Sequence, residues 1–271
     1  MPQRLFSTIL ESARVTNLLN TTPTWLITLI VALLILSVNE LGFRLARVGP
    51  LARASEGPSV VVQSAAFTLV ALLLGFSFSL SLGRYDARRA VLVREANLIN
   101  TTFLRTSLID ARTASAIRAD LRKYVNVRVD FALADADPRR RALATEKSNL
   151  LQRSMWSLAT EASRREPHPM TPLFITSLND TIGISVEEAD ALEAHIPNSV
   201  FIGLVAIILI ASGMMSYDFG RQGQRAFVPK ALFALTLAIA IALILDLDRP
   251  QRGAIRLNLE PLQTLQRSLA T

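Results

Sequence analysis

Residues 60 to 82 read VVVQSAAFTLVALLLGFSFSLSL and lead straight into Gly83-Arg84-Tyr85-Asp86-Ala87-Arg88-Arg89. The first run carries no charge. At about 23 residues it is long enough to cross a hydrocarbon core of about 30 Å as a helix. Its second half differs from a plain anchor, because Gly75, Ser77, Ser79 and Ser81 alternate with Phe76, Phe78, Leu80 and Leu82. Small and hydroxyl residues in a membrane helix mark close helix packing or a wet surface. Charge begins abruptly at Arg84, with no proline or glycine pair to stop the helix. The stretch predicts one long helix that starts in lipid and carries on into water.

Three further apolar runs flank it. The first span is read as Thr24 to Phe43, with Trp25 as an interfacial anchor and Asn39 and Glu40 near its end. The third is Asn198 to Tyr217, opened by Pro197, and the fourth is Ala231 to Leu245. Apolar residues make up 51% of the 271 and are clustered in these runs, which places the chain among polytopic membrane proteins. The net charge of +7 comes without any basic run interleaved with aromatics. It therefore points to anionic headgroups rather than to nucleic acid. The absence of cysteine excludes disulfides and thiolate metal sites. The first apolar run follows a long polar lead and lacks a small-residue cleavage pattern, so it is read as a retained span. Residues 1 to 22, with Leu5, Phe6, Ile9 and Leu10 on one stripe, predict a short helix, either interfacial or packed on the protein.

Between spans two and three lies a polar segment that reads as helix throughout, rich in Ala, Leu and Arg and without sustained alternation. Its second helix carries Ala114, Ile117, Leu121, Tyr124, Val125 and Phe131 on one face. Asp137-Pro138 is an N-cap followed by proline at the first helical position. It opens a third helix that carries Leu143, Leu150, Leu151, Met155 and Leu158. A fourth, after the break at Pro167-His168-Pro169-Met170-Thr171-Pro172, is read as capped by Thr171, with Leu178, Ile182, Val186, Ala189 and Leu192 on one face. The tail from Ala254 is polar with a few leucines and is expected to dock on this segment. The domain reading is 1–83 for the N-terminal helix and first two spans and 84–196 for the helical insertion. Spans three and four take 197–248, and the tail takes 249–271. Four spans put the insertion and both termini on one side and the short loops on the other. The loops hold Arg44, Arg47, Arg53, Arg221, Arg225 and Lys230. The other side holds Arg84, Arg88, Arg89, Arg94, Arg249, Arg252 and Arg256, so charge leaves orientation open.

Enzyme chemistry finds little support. The two histidines, His168 and His195, belong to no catalytic or metal-ligating pattern, and no Walker or nucleophile-elbow motif occurs. The expectation is a protein that is not an enzyme and needs no metal or cofactor. The faces of span two carry more information. Thr68, Leu72 and Phe76 are spaced by four and share one face, which Ser79 and Gly83 continue. Two readings are open. One is a pore wall with an apolar constriction followed by hydroxyls. The other is a tight seam of small residues between helices. Arg84 and Arg88, and Asp246 and Asp248, stand at the ends of spans two and four. They are read as interhelical ion pairs, with Arg249 serving locally, or as headgroup contacts.

Taken together, Gly75-Phe76, Arg84-Tyr85-Asp86-Ala87-Arg88-Arg89, Glu95-Ala96, Ile196-Pro197 and Asp246-Leu247-Asp248-Arg249-Pro250 with Gly253 resemble an uncharacterised bacterial membrane-protein family related to bestrophins. The resemblance implies an all-α fold: four transmembrane helices with a helical extramembrane domain inserted between spans two and three. It implies a homo-oligomer, a pentamer in bestrophins, in a bacterial inner membrane with termini and insertion cytoplasmic. It also implies a channel for small anions such as chloride, its neck lined at Thr68, Leu72 and Phe76 with Ser79 beyond, and Arg84 and Arg88 at the vestibule. Thr68 stands where bestrophins carry a larger apolar residue. Gly253 is followed by Ala-Ile-Arg-Leu-Asn rather than the acidic cluster of calcium-binding members. The alternative is a non-conducting scaffold or sensor whose insertion binds a partner.

Overall fold

The computed structural model describes residues 22–48, 59–134, 137–165, 169–249 and 255–270. The expected helix over residues 1–22 lies mostly outside these residues. So do Arg53 and the Gly-Pro turns of the first loop, Pro167, His168, Pro250, Arg252 and Gly253. Among the described residues the fold is all helical. We number the helices α1 (Thr24–Val48), α2 (Ser59–Arg105), α3 (Ala111–Leu133), α4 (Pro138–Arg165), α5 (Thr171–Glu193), α6 (Asn198–Arg221), α7 (Phe227–Asp248) and α8 (Glu260–Ala270). A single turn of 3₁₀ helix, Thr106–Leu108, follows α2. Four helices, α1, α2, α6 and α7, are long and apolar enough to cross a membrane, with mean hydropathy of 2.1 to 2.3. The predicted unbroken run from span two into the charged segment is present: α2 is 47 residues long. The spans are longer than their apolar cores suggest. Gly220 lies inside α6 and Pro229 inside the first turn of α7, so the basic connection shrinks to Gln222–Ala226. Proline at the third position of a helix costs nothing there, because its missing N–H is one of the unpaired donors of the first turn.

The chain forms two compact units, 1–83 with 195–255, and 84–194 with 256–271. In the first, Ile35, Ile208, Ala211, Ala234 and Ile241 form a core of nearly zero exposure. The approach of α1 to α6 is set by glycine. A Cβ on Gly42 would sit 2.6 Å from the carbonyl oxygen of Gly213, and one on Gly220 would sit 2.7 Å from Ala46 Cβ. With no hydrophobic drive between helices in lipid, such backbone-to-backbone contact is a main source of association.

In the second unit, α2 from Arg84 packs with α3, α4, α5 and α8. The α3 stripe is as expected: Ala114, Ile117, Leu121, Tyr124, Val125 and Phe131 are all buried. The tail leucines Leu262, Leu265 and Leu269 of α8 bury in the same cluster. Asp137 caps α4 by accepting from the Arg139 and Arg140 amides at 2.9 and 3.3 Å. Leu143 and Leu150 of α4 are exposed, and the buried face is Ala144, Ser148, Gln152, Met155, Ala159 and Ala162. Small residues let α4 come close to α3, and Gln152 Nε2 donates to Tyr124 Oη at 3.1 Å and to Ser185 Oγ at 3.0 Å. Burial pushes the Tyr124 phenol above its ordinary pKa, so it stays protonated in this network. Thr171 does not cap α5. Met170 is the N-cap residue and Thr171 is buried as the first helical residue, while Val186 points outward.

Candidate functional site

The span half of α2 has two unlike faces. On one, Val70, Ser77 and Ser81 are buried, with Phe67 and Leu74 half-buried beside them. Phe67 meets the Phe233 ring edge-on, 5.1 Å between centroids. At about 100° per residue, Thr68, Leu72, Phe76, Ser79 and Gly83 lie opposite this seam. All five are exposed, Leu72 at 52% and Phe76 at 60%. The serines therefore divide between two jobs: Ser77 and Ser81 pack inward and Ser79 faces out. Thr68 Oγ1 donates to the Ser64 carbonyl at 2.8 Å, which satisfies its proton within the helix. A Cβ at Gly75 or Gly83 would meet nothing within 4 Å. Only 17% of the apolar stretch of α2 is buried, against 28 to 39% in the other three spans, so among the described residues α2 is the span least covered by the rest of the chain.

The charged residues singled out at the span ends have specific partners. Arg88 is 3% exposed and donates through Nε to Ala191 O at 3.0 Å and through an Nη to Ala194 O at 2.6 Å. It thus closes the C-terminal end of α5, where a cation complements the helix dipole. Arg84 is half-buried beside it in sequence. Tyr85 Oη donates to the Arg256 carbonyl at 3.2 Å. Asp248 is 2% exposed and accepts from the Ile196 amide at 3.0 Å, which ties the start of α6 to the end of α7. His195 Nδ1 lies 3.3 Å from the Asp248 carbonyl. Arg249 Nε lies 3.9 Å from the Asp248 carboxylate, and its Nη reaches Asn198 Oδ1 at 3.4 Å. Asp246 is half-buried.

A charged core in the second unit escaped sequence reasoning. Glu95 of α2, Arg128 of α3 and Glu188 of α5 are 0, 3 and 6% exposed. Arg128 Nε donates to Glu95 Oε1 at 2.5 Å, an Nη pairs with Glu188, and the guanidinium lies 4.7 Å over the Phe131 ring. The signal was available: Arg128 occupies the place between Val125 and Phe131 on the apolar stripe of α3. Among the described residues, no group of three His, Cys, Asp or Glu gathers in metal-binding geometry.

Four membrane-length helices with a helical insertion after the second define a polytopic all-α membrane protein. Its least covered span turns an apolar, glycine-bearing face away from its own core. A sequence model of the bestrophin-like domain matches residues 29–262, and the chain belongs to the bestrophin-like family. The fold is that of a bacterial bestrophin homolog from Klebsiella pneumoniae. An aspartate-to-alanine variant of that protein superposes with a TM-score of 0.67 at 15% identity, covering 89% of this chain and 97% of the other. An isoleucine-to-threonine variant gives 0.63 at 16% identity over the same shares. A leucine-to-alanine variant of a membrane protein gives 0.62 at 16%, covering 87% of this chain and 96% of that one. No curated protein sequence matches.

Proposed function

We propose that the chain assembles as a homo-oligomer, five copies by analogy with bestrophins, into a channel that passes small anions such as chloride. The observation that carries this reading is the outward face of α2. Among the described residues, Leu72 and Phe76 are exposed and stand outside the first unit's core, and the face holds Thr68 and Ser79 as well as apolar residues. Around a common axis, Leu72 and Phe76 would make rings that exclude water, and Thr68 a wetter one, its methyl group and acceptor lone pairs turned to the lumen. Ser79 and the open space at Gly75 and Gly83 would widen the path beyond the constriction. Arg84, which follows the span, would raise the local anion concentration at the mouth. Arg88 supports that mouth by holding the end of α5. The membrane is a bacterial inner membrane, with the insertion and termini on the cytoplasmic side.

The test is chloride flux from liposomes containing the purified protein. The wild type is expected to conduct, and Leu72→Ala with Phe76→Ala to conduct severalfold faster, because the rings that dewet the neck are gone. A folded oligomer that passes no chloride in either form overturns the channel reading and favours a scaffold whose insertion binds a partner.

A further inference from the structure

One feature of the first unit plays no part in a conduction path along α2. Where α1 ends and α7 begins, several cations gather around a single ring. Phe43 is buried in the closing turns of α1. Lys230 Nζ lies 4.8 Å from its centroid, the Arg47 guanidinium 5.2 Å and the Arg225 guanidinium 6.0 Å. The three come from α1, from the α6–α7 connection and from the first turn of α7. The nearby carboxylate, Glu40, is already held by Arg44 at 2.7 Å. Counting Arg221 and Asp218, which flank Gly220 where it packs on Phe43, five cations face two carboxylates among the described residues at this end of the bundle, a formal excess of +3. Among the described residues, no carboxylate lies within ion-pair distance of Arg47, Arg225 or Lys230. The sequence places these cations in the short loops but does not show that they share one ring, because Arg225 and Lys230 lie more than 180 residues from Phe43 in the chain.

The members of the group face different ways. Lys230 is 6% exposed, donates to Ser216 Oγ at 3.1 Å and lies 6.0 Å from the Phe219 ring, so its charge is fixed inside. Ser216 in turn donates to the Asn39 carbonyl. Arg47 and Arg225 are exposed. Around them stand apolar side chains that are also exposed: Val48 at 86%, Phe227 at 69% and Val228 at 64%. Both helices are membrane-length, so this group lies at the level where acyl chains give way to headgroups. The pattern is a pair of guanidiniums backed by a buried ammonium and bordered by greasy side chains.

We propose that this group binds the phosphodiester of an anionic phospholipid. Arg47 and Arg225 supply forked donors that match phosphate oxygens, and Lys230 supplies the field behind them. Phe227 and Val228 lie against the acyl chains. The charge excess discriminates against zwitterionic lipids, whose ammonium it repels. The apolar border discriminates against free phosphate, which gains nothing from it. The proposal stands whether or not the protein conducts.

The experiment uses the full-length protein in neutral detergent micelles. Thermal unfolding and native mass spectrometry are recorded with phosphatidylglycerol, with phosphatidylcholine and with inorganic phosphate at matched concentration. Phosphatidylglycerol is expected to raise the Tm and to remain bound, and the other two to do neither. The double variant R47Q/R225Q, altered only at exposed positions, should keep the lipid-free Tm and retain phosphatidylglycerol about tenfold less well. The variant R47K/R225K should recover part of that retention, since charge returns without the fork. Undiminished phosphatidylglycerol binding in R47Q/R225Q overturns the proposal. So does equal binding of phosphatidylcholine, or a full Tm rise with inorganic phosphate alone.

Discussion

The two halves of α2 answer to different solvents. Between residues 61 and 83, the buried side chains are Val70, Ser77 and Ser81, and most leucines and phenylalanines point away from the chain. Between residues 84 and 105, the order reverses. Leu92, Ala96 and Ile99 are buried together with Arg88, Glu95 and Thr102, and the polar members are hydrogen-bonded inside. In water, burying apolar surface is the main driving force, so the helix must turn its apolar stripe inward. In lipid no such force sorts leucine from the surroundings, and what packs inward is whatever fits closely, here valine and serine. One helix thus follows two burial rules, and the outward face of its first half is left for lipid or for another copy.

The most severe way to break the second half is to remove its cation. Arg128→Ala leaves Glu95 and Glu188 buried without a counter-charge and should cost about 3–5 kcal/mol. The expected readout is a large fall in the Tm of the purified protein, or failure to recover folded protein. A change of under about 1 kcal/mol would show that water reaches the triad. The next test sets one residue type against itself. Leu92→Ala, at 3% exposure, should cost about 2–5 kcal/mol, whereas Leu72→Ala, at 52%, should stay within about 0.5 kcal/mol in detergent. Equal losses would mean that Leu72 is buried in the assembled protein, which would move the seam to the face proposed here as the neck wall. The smallest effect concerns how helices start. Asp110 caps α3 by accepting from the Thr113 amide at 2.9 Å, while α6 and α7 begin at Pro197 and Ala226 without a side-chain cap. Asp110→Ala should cost about 1 kcal/mol. The Thr113 hydrogen bonds hold the Asp110 carboxyl below its ordinary pKa. Its contribution is therefore present above the ordinary carboxylate range and lost as pH falls through the lowered value. Asp110→Asn should keep most of the cap and remove that pH dependence, which unfolding followed from pH 7 down through the acid range would reveal.

Span number, the long helix and the insertion were legible, because uninterrupted apolar runs and a sudden onset of charge have one simple explanation. So was the α3 stripe, where large apolar residues recur at three and four. The α4 face was not. Hydropathy weights Leu143 and Leu150 above Ala144 and Ser148, but close helix contact selects the small pair. The shared face of Thr68, Leu72 and Phe76 followed from spacing alone. Which way it points did not, since apolar residues on a span face inward and outward alike. The role of Arg88 was hidden for another reason: its partners are backbone carbonyls 103 and 106 residues away, which no side-chain pattern marks.

The approach of Gly42 to Gly213 carries a consequence for how the protein can change over generations. Every other residue type adds a Cβ, and at Gly42 that atom would stand 2.6 Å from a backbone oxygen rather than from a side chain that can swing aside. No compensating change at position 213 creates the missing room, because the obstacle there is the main chain itself. The two positions form a one-way lock: a lineage can build outward from this crossing, through loops, faces and tails, but cannot drift through it.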